Sequence, residues 1–210
     1  GNPAQLCKGT LRTTTMKLII SETSPYARKC RILVRELGLE PAITETAANP
    51  FEDDEILLRA NPLGRVPCLV MDDGRALTES ALIAAWLNAR AANPWLSDWD
   101  DRRLEALGHG LLDLAVARRV EMVREPGLFC DFWITRRERG ILRALDELEV
   151  EMAMLASPVS LGALTIAVAL DYLDFRYPES QWRRQHSALA ALHEGWAARA
   201  SFIATAPPPG

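Results

Sequence analysis

Two periodicities alternate along the first half of the chain. The stretch "KLIIS" (17–21) is a short apolar run of strand length. Over residues 25–37, Cys30, Leu33, Val34 and Leu37 share one helical face, and Arg28, Arg31, Arg35 and Glu36 lie largely away from it. Gly38 follows in the position that ends helices. "AITET" is a second, weaker strand, and residues 52–59 form a short helix that stops before "NPLG". Residues 66–71 and 75–78 are strands joined through Asp73-Gly74, a hairpin signal. Residues 80–91 then read as a helix with Leu82, Ile83, Trp86 and Leu87 facing inward. The predicted order is βαβαββα, with a parallel first half, a helical crossover and an antiparallel hairpin.

Beyond residue 92 only the helical period remains. "AANPWLSDW" reads as a connection packed down by Trp95 and Trp99. Helical spans follow over about 100–124, 131–156, 161–175 and 187–200, punctuated by Pro126-Gly127, Pro158 and Pro178. No charge occurs from Ala153 to Leu170, but Ser157-Pro158 breaks this run, and Ser160, Gly162 and Thr165 dilute it. A helix end, a turn and a buried helix explain it better than a membrane span. Residues 16–92 are therefore expected to form an α/β domain, 93–99 a linker and 100–210 an all-helical domain. Residues 1–15 lack the apolar core of a signal peptide and read as a poorly ordered extension before Met16.

Composition narrows the functional classes. The chain has 210 residues, 49% hydrophobic and 25% charged, enough for a substantial core. Its net charge of −4 does not suit a nucleic-acid binder, which carries a basic face. Cys7, Cys30, Cys68 and Cys130 are scattered with no CxxC pair, which argues against a zinc site, a redox dithiol and a disulfide framework. That usage suits a reducing cytoplasm. His186 and His193 are two helical turns apart, roughly 10 Å along a helix, too far to share one ion, so no metal is expected. No GxSxG elbow, GxxxxGK[ST] loop or GxGxxG fingerprint is present.

The segment "GRVPCLVMDDGRALTES" (64–80) carries the candidate chemistry. Pro67 sits at the start of a strand, where a missing N–H is normally excluded. It is either an edge-strand proline in trans, or a cis proline that leaves the Val66 backbone free to pair with an extended peptide ligand. Ser80 is either a plain helix cap or, with the free N–H groups of the helix start, a seat for a carboxylate. Glu79 beside it would attract an ammonium, so the pair matches an α-amino acid head group. In "TSPYARK", Ser24 precedes a proline suited to the first helical position and is a natural cap. Its hydroxyl could also face a ligand sulfur above the helix start. Lowering a thiol pKa from ~8.5 by ~2 units needs about 2.7 kcal/mol. A hydrogen bond to a charged group contributes about 1.5–3 kcal/mol, and a helix terminus about 0.3–1. One hydroxyl at one helix terminus is thus enough to make a thiolate.

In order and spacing, "SPYARK", "NPLGRVPCLV" and "DDGRALTES" resemble the glutathione transferase family, over nearly all of the chain from Met16 to about Phe202. The resemblance implies a thioredoxin-like N-terminal domain, cis Pro67, an all-α C-terminal domain and a cytoplasmic homodimer that uses glutathione as co-substrate. It implies that Ser24 activates the thiol, that Val66 and Pro67 hold the cysteinyl part, that Glu79 and Ser80 hold the γ-glutamyl head group, and that Arg65 (or Arg59) meets the glycyl carboxylate. The function implied is conjugation of glutathione to an apolar electrophile, a detoxifying reaction. Leu107 to Ala115 and Phe202 are candidates to line the acceptor pocket. The alternative is a non-catalytic binding module of the same fold.

Two departures from the family pattern stand out. "SPYA" resembles the CPYC motif of glutaredoxins with both cysteines replaced, by Ser24 and Ala27, which removes the thiol for disulfide exchange. Cys30 and Cys68 read as core. In "SLGALTIAVALDYL", Ser160 is not followed by the reciprocal carboxylate of a capping box, a loss of about 1 kcal/mol.

Overall fold

The computed structural model describes residues 15–95, 97–153, 155 and 157–209. Expectations for the opening segment up to residue 14, Cys7 included, lie outside them. The described chain runs β1 (Met16–Ile20), α1 (Pro25–Glu36), β2 (Ile43–Ala47), α2 (Glu55–Ala60), β3 (Cys68–Val70), β4 (Ala76–Thr78) and α3 (Ser80–Arg90). The helices α4 (Trp99–Met122), α5 (Asp131–Ala153), α6 (Leu161–Arg176), α7 (Ser187–Ala197) and α8 (Ala200–Ile203) follow. This is the βαβαββα order followed by an all-helical region. No described helix is long and apolar enough to cross a membrane.

The sheet order is β2-β1-β3-β4, with β1 parallel to β2 and antiparallel to β3, and β3 antiparallel to β4. The period of two is visible in β1. Leu18 and Ile20 face a core shared with α1, α3 and the helical region, and Ile19 faces a smaller cluster with Ala48, Leu57 and Cys68 beneath α2.

Helix α1 differs from its sequence reading on its charged side. Arg28, Lys29 and Arg31 are buried there, because the helical region closes over them. Arg28 pairs with Asp171 and also donates to the Phe202 carbonyl at 3.1 Å, Lys29 pairs with Glu105, and Arg31 pairs with Glu45 at 2.8 Å. Charges so enclosed persist only because each is paired. Two apolar residues differ in the opposite sense. Leu82 is 53% exposed and Trp99 is 86% exposed, whereas Trp95 packs on Trp196 with ring centroids 6.0 Å apart.

Helices α4 and α6 approach closely at Gly108 and Gly162. A Cβ at Gly162 would lie 2.7 Å from the Asp101 carbonyl, and one at Gly108 would lie 3.1 Å from the Ile166 nitrogen. Ser160 caps α6 by accepting from the Ala163 N–H at 3.1 Å. A carboxylate reaches this helix start from α4 at a different donor, Asp101 accepting from the Gly162 N–H at 2.9 Å.

Candidate active site

Strand register decides which segments meet. Ile19 pairs with Cys68, and Cys68 pairs with Thr78. The chain leaving β1, the chain entering β3 and the chain leaving β4 therefore lie at one end of the sheet. These are the segments that carry Ser24, Val66-Pro67 and Glu79-Ser80.

Ser24 is half-buried and caps α1, its Oγ accepting from the Ala27 N–H at 3.2 Å, with Pro25 in the first helical turn. Capping uses a lone pair on the oxygen and leaves the hydroxyl hydrogen. No acceptor for that hydrogen occurs among the described residues. Both meanings of Ser24 read from the sequence are thus compatible in one atom: it can close the helix and donate outward.

The Val66-Pro67 peptide bond is cis. The strand ladder begins at Cys68, so Val66 lies outside it, half-buried. Arg65 is exposed and forms no ion pair among the described residues, whereas Arg59 is paired with Glu55 one helical turn away. Of the two cations, Arg65 is the unspent one.

Glu79 stands at φ 69°, ψ 121°, a backbone region that non-glycine residues avoid. It is exposed and makes no capping bond to α3, so the first N–H groups of that helix lack a side-chain acceptor. A carboxylate fits those N–H groups, and the free Glu79 carboxylate fits an ammonium. Ser80 is buried at 4% exposure, with Oγ 3.3 Å from Nε2 of His109 on α4. His109 falls within the stretch 107–115 expected at the acceptor pocket, but no sequence signal ties it to Ser80. Its imidazole also lies 3.2 Å from the Lys29 ammonium. Burial, and then the Lys29 charge, pull its pKa down to about 3, so it is neutral near pH 7.

The neighbouring groups are committed elsewhere. The Tyr26 hydroxyl donates to Asp113 at 2.5 Å, and burial together with that carboxylate raises its pKa. Burial pushes the Cys30 thiol up to about 12 and raises that of Cys68 as well, so both are inert core thiols. No group of metal-binding side chains occurs among the described residues.

Beside Ser24 lies a small recess between the two regions, about 10 Å³ in volume, room for about one water. Its walls include Pro25 and Arg28 of α1, Val168, Tyr172 and Phe175 of α6, and Pro207 of the tail. Of the residues expected at the acceptor pocket, Leu107 and Leu114 are half-buried and do not line this recess. Leu111, Leu112 and Ala115 are fully buried, and Phe202 packs under the Arg28 guanidinium at 4.2 Å.

Residues 23–90 match the family model for the glutathione S-transferase N-terminal domain, and residues 131–195 match that for the C-terminal domain. The chain is also 33% identical to the uncharacterized GST-like protein YibF of Escherichia coli K12, over 92% of this chain and 99% of that one. The chain belongs to the glutathione S-transferase family. Solved family structures agree throughout. A glutathione transferase family member from Pseudomonas fluorescens Pf-5, with bound glutathione, is 36% identical with a TM-score of 0.87, covering 92% of this chain and 100% of that one. A glutathione S-transferase from Methylobacillus flagellatus KT, also with glutathione bound, is 32% identical with a TM-score of 0.85 over the same shares.

Proposed function

We propose that this family member is an active transferase that joins glutathione to an apolar electrophile, with Ser24 holding the sulfur as thiolate. The observation that carries this reading is the convergence of Ser24, Val66-Pro67 and Glu79-Ser80 at one sheet end, with the Ser24 hydroxyl hydrogen unspent. The glutathione bound to the two solved relatives supports it. In this reading the γ-glutamyl carboxylate takes the free N–H groups of α3, its ammonium takes Glu79, the Val66 backbone pairs with the cysteinyl residue, and Arg65 meets the glycyl carboxylate.

The thiol loses its proton to solvent as the Ser24 O–H and the α1 dipole stabilise the anion. The sulfur lone pair then attacks the electrophilic carbon. A C–S bond forms, and the leaving group departs with its electron pair. Phe175 and Pro207, the half-buried apolar residues of that wall, would meet the apolar part of the acceptor. A homodimer, a cytoplasmic setting and a detoxifying role belong to the same proposal. Thermal melting with millimolar glutathione tests binding, and turnover of chlorodinitrobenzene by Ser24→Ala tests the chemistry. A melting shift in both proteins with strongly slowed turnover in the variant is expected. No shift in either would favour the non-catalytic binding module.

A further inference from the structure

Arg119 on α4 and Arg176 on α6 form no ion pair among the described residues. Both lie where the helical region borders the recess beside Ser24. Tyr172 and Phe175 line that recess, and Arg176 follows one turn after Tyr172, about 6 Å along the helix. The Arg176 guanidinium lies 3.9 Å over the Phe175 ring, and its Nε is buried with no acceptor among the described residues. Arg119 comes from the facing helix. The Tyr177 hydroxyl donates to the Ala115 carbonyl at 2.6 Å, which seats the end of α6 on the turn of α4 that leads to Arg119. Burial raises the Tyr172 hydroxyl pKa, and Arg176 and Arg119 both act against that rise, so the two charges surround one recess hydroxyl.

The neighbouring charges are spent on one another. Arg28 pairs with Asp171, Arg183 with Asp174 at 2.5 Å, Arg118 with Glu138 at 3.3 Å, and Asp113 accepts from Tyr26. Arg119 and Arg176 are half-buried, and a planar guanidinium in that setting is matched by an anion with two oxygens. Glu22, just before α1, borders the same recess, is exposed and forms no ion pair among the described residues. An anionic ligand group is therefore drawn to the α6 side and away from the α1 side.

We propose that the acceptor is an electrophile bearing a carboxylate, which Arg176 and Arg119 receive while Phe175 meets its apolar body and its reacting carbon faces the sulfur at Ser24. This rests on the transferase reading above and names its substrate class. The carboxylate takes no part in the bond changes: the C–S bond forms and the leaving group departs with its electron pair. The two guanidinium groups fix which end of the acceptor points at the thiolate.

Two compounds that differ in this charge test it: chlorodinitrobenzoate, with the carboxylate para to chlorine, and the matching chlorodinitrobenzamide. Each kcat/KM is divided by the rate of the uncatalysed reaction with glutathione, which removes the difference in ring activation. In wild type the normalised value for the acid is expected to exceed that for the amide by at least about tenfold. That ratio is expected to fall at least about fivefold in Arg176→Gln and in Arg119→Gln. Arg176→Lys, which keeps the charge without the fork, is expected to fall between. Both compounds are read on one preparation, so any loss of folded protein cancels from the ratio. A wild type that turns over both without preferring the acid would overturn the proposal and leave the transferase reading intact. A preference that survives in both Gln variants would overturn the assignment to Arg176 and Arg119. A wild type that conjugates neither compound would sink both readings.

Discussion

Asp101 accepts a hydrogen bond from the backbone N–H of Gly162 at 2.9 Å, joining the start of α4 to the start of α6. Both residues depend on the other. Any side chain at 162 would run into the Asp101 backbone at 2.7 Å and Leu104 at 2.8 Å. The orphan N–H groups at the start of a buried helix need an acceptor, and this carboxylate complements Ser160 in that task. Gly162→Ala is expected to destabilise the fold by about 2–3 kcal/mol through overpacking against backbone. Asp101→Ala is expected to cost about 1.5–3 kcal/mol, and Asp101→Asn less, because one acceptor oxygen survives. Urea denaturation of the three variants checks the order.

Glu79 tests whether strain is retained for binding. Its positive φ costs roughly 1–3 kcal/mol, which Glu79→Gly would relieve, less about 0.5–1 kcal/mol for the added freedom of the unfolded chain. The variant is expected to be as stable as wild type or more so, yet to bind glutathione at least about tenfold more weakly. Melting curves and calorimetric titration on the same preparation separate the two effects.

The neutral imidazole of His109 gives a signed pH dependence. Its folded pKa of about 3 lies below the value near 6.5 that it regains on unfolding. Below about 6.5 the unfolded chain binds a proton that the fold does not. This contribution is therefore complete above about 6.5 and is lost as pH falls toward about 3, with a slope of at most about 1.4 kcal/mol per pH unit. Lys29, Tyr26 and Ser80 face the ring and remain in His109→Gln. That variant is expected to lose less stability than wild type between about pH 7 and pH 5 by urea midpoint.

Thiol reactivity separates core from surface. Cys130 is exposed, and Cys30 and Cys68 are buried with raised pKa values. In native protein a thiol reagent is expected to label Cys130 within minutes and to reach Cys30 and Cys68 only on unfolding. Peptide mapping of the labelled sites reads this directly.

Local features of the sequence made most of the fold legible. The apolar spacing of Cys30, Leu33 and Val34 identified α1, and Asp73-Gly74 identified the β3–β4 turn. The edge that gathers Ser24, Pro67, Glu79 and Ser80 followed from element order and family resemblance together. What stayed hidden depends on residues far apart in the chain. Nothing near Arg28 or Lys29 announces Asp171 or Glu105, 143 and 76 positions away, so the burial of these cations was not visible. Separation in sequence likewise concealed His109 as the neighbour of Ser80, and Asp101 as an acceptor at the start of α6. Leu82 follows the helical period yet is left 53% exposed by the described residues, because periodicity predicts a face and not its cover.

The central claim concerns one sulfur and one hydroxyl. Ultraviolet thiolate absorbance of glutathione bound to this protein, followed against pH, measures it directly. The account predicts an apparent thiol pKa near ~6.5 in wild type and a return toward ~8.5 in Ser24→Ala, with glutathione still bound in both. Equal titration midpoints in the two proteins would contradict it.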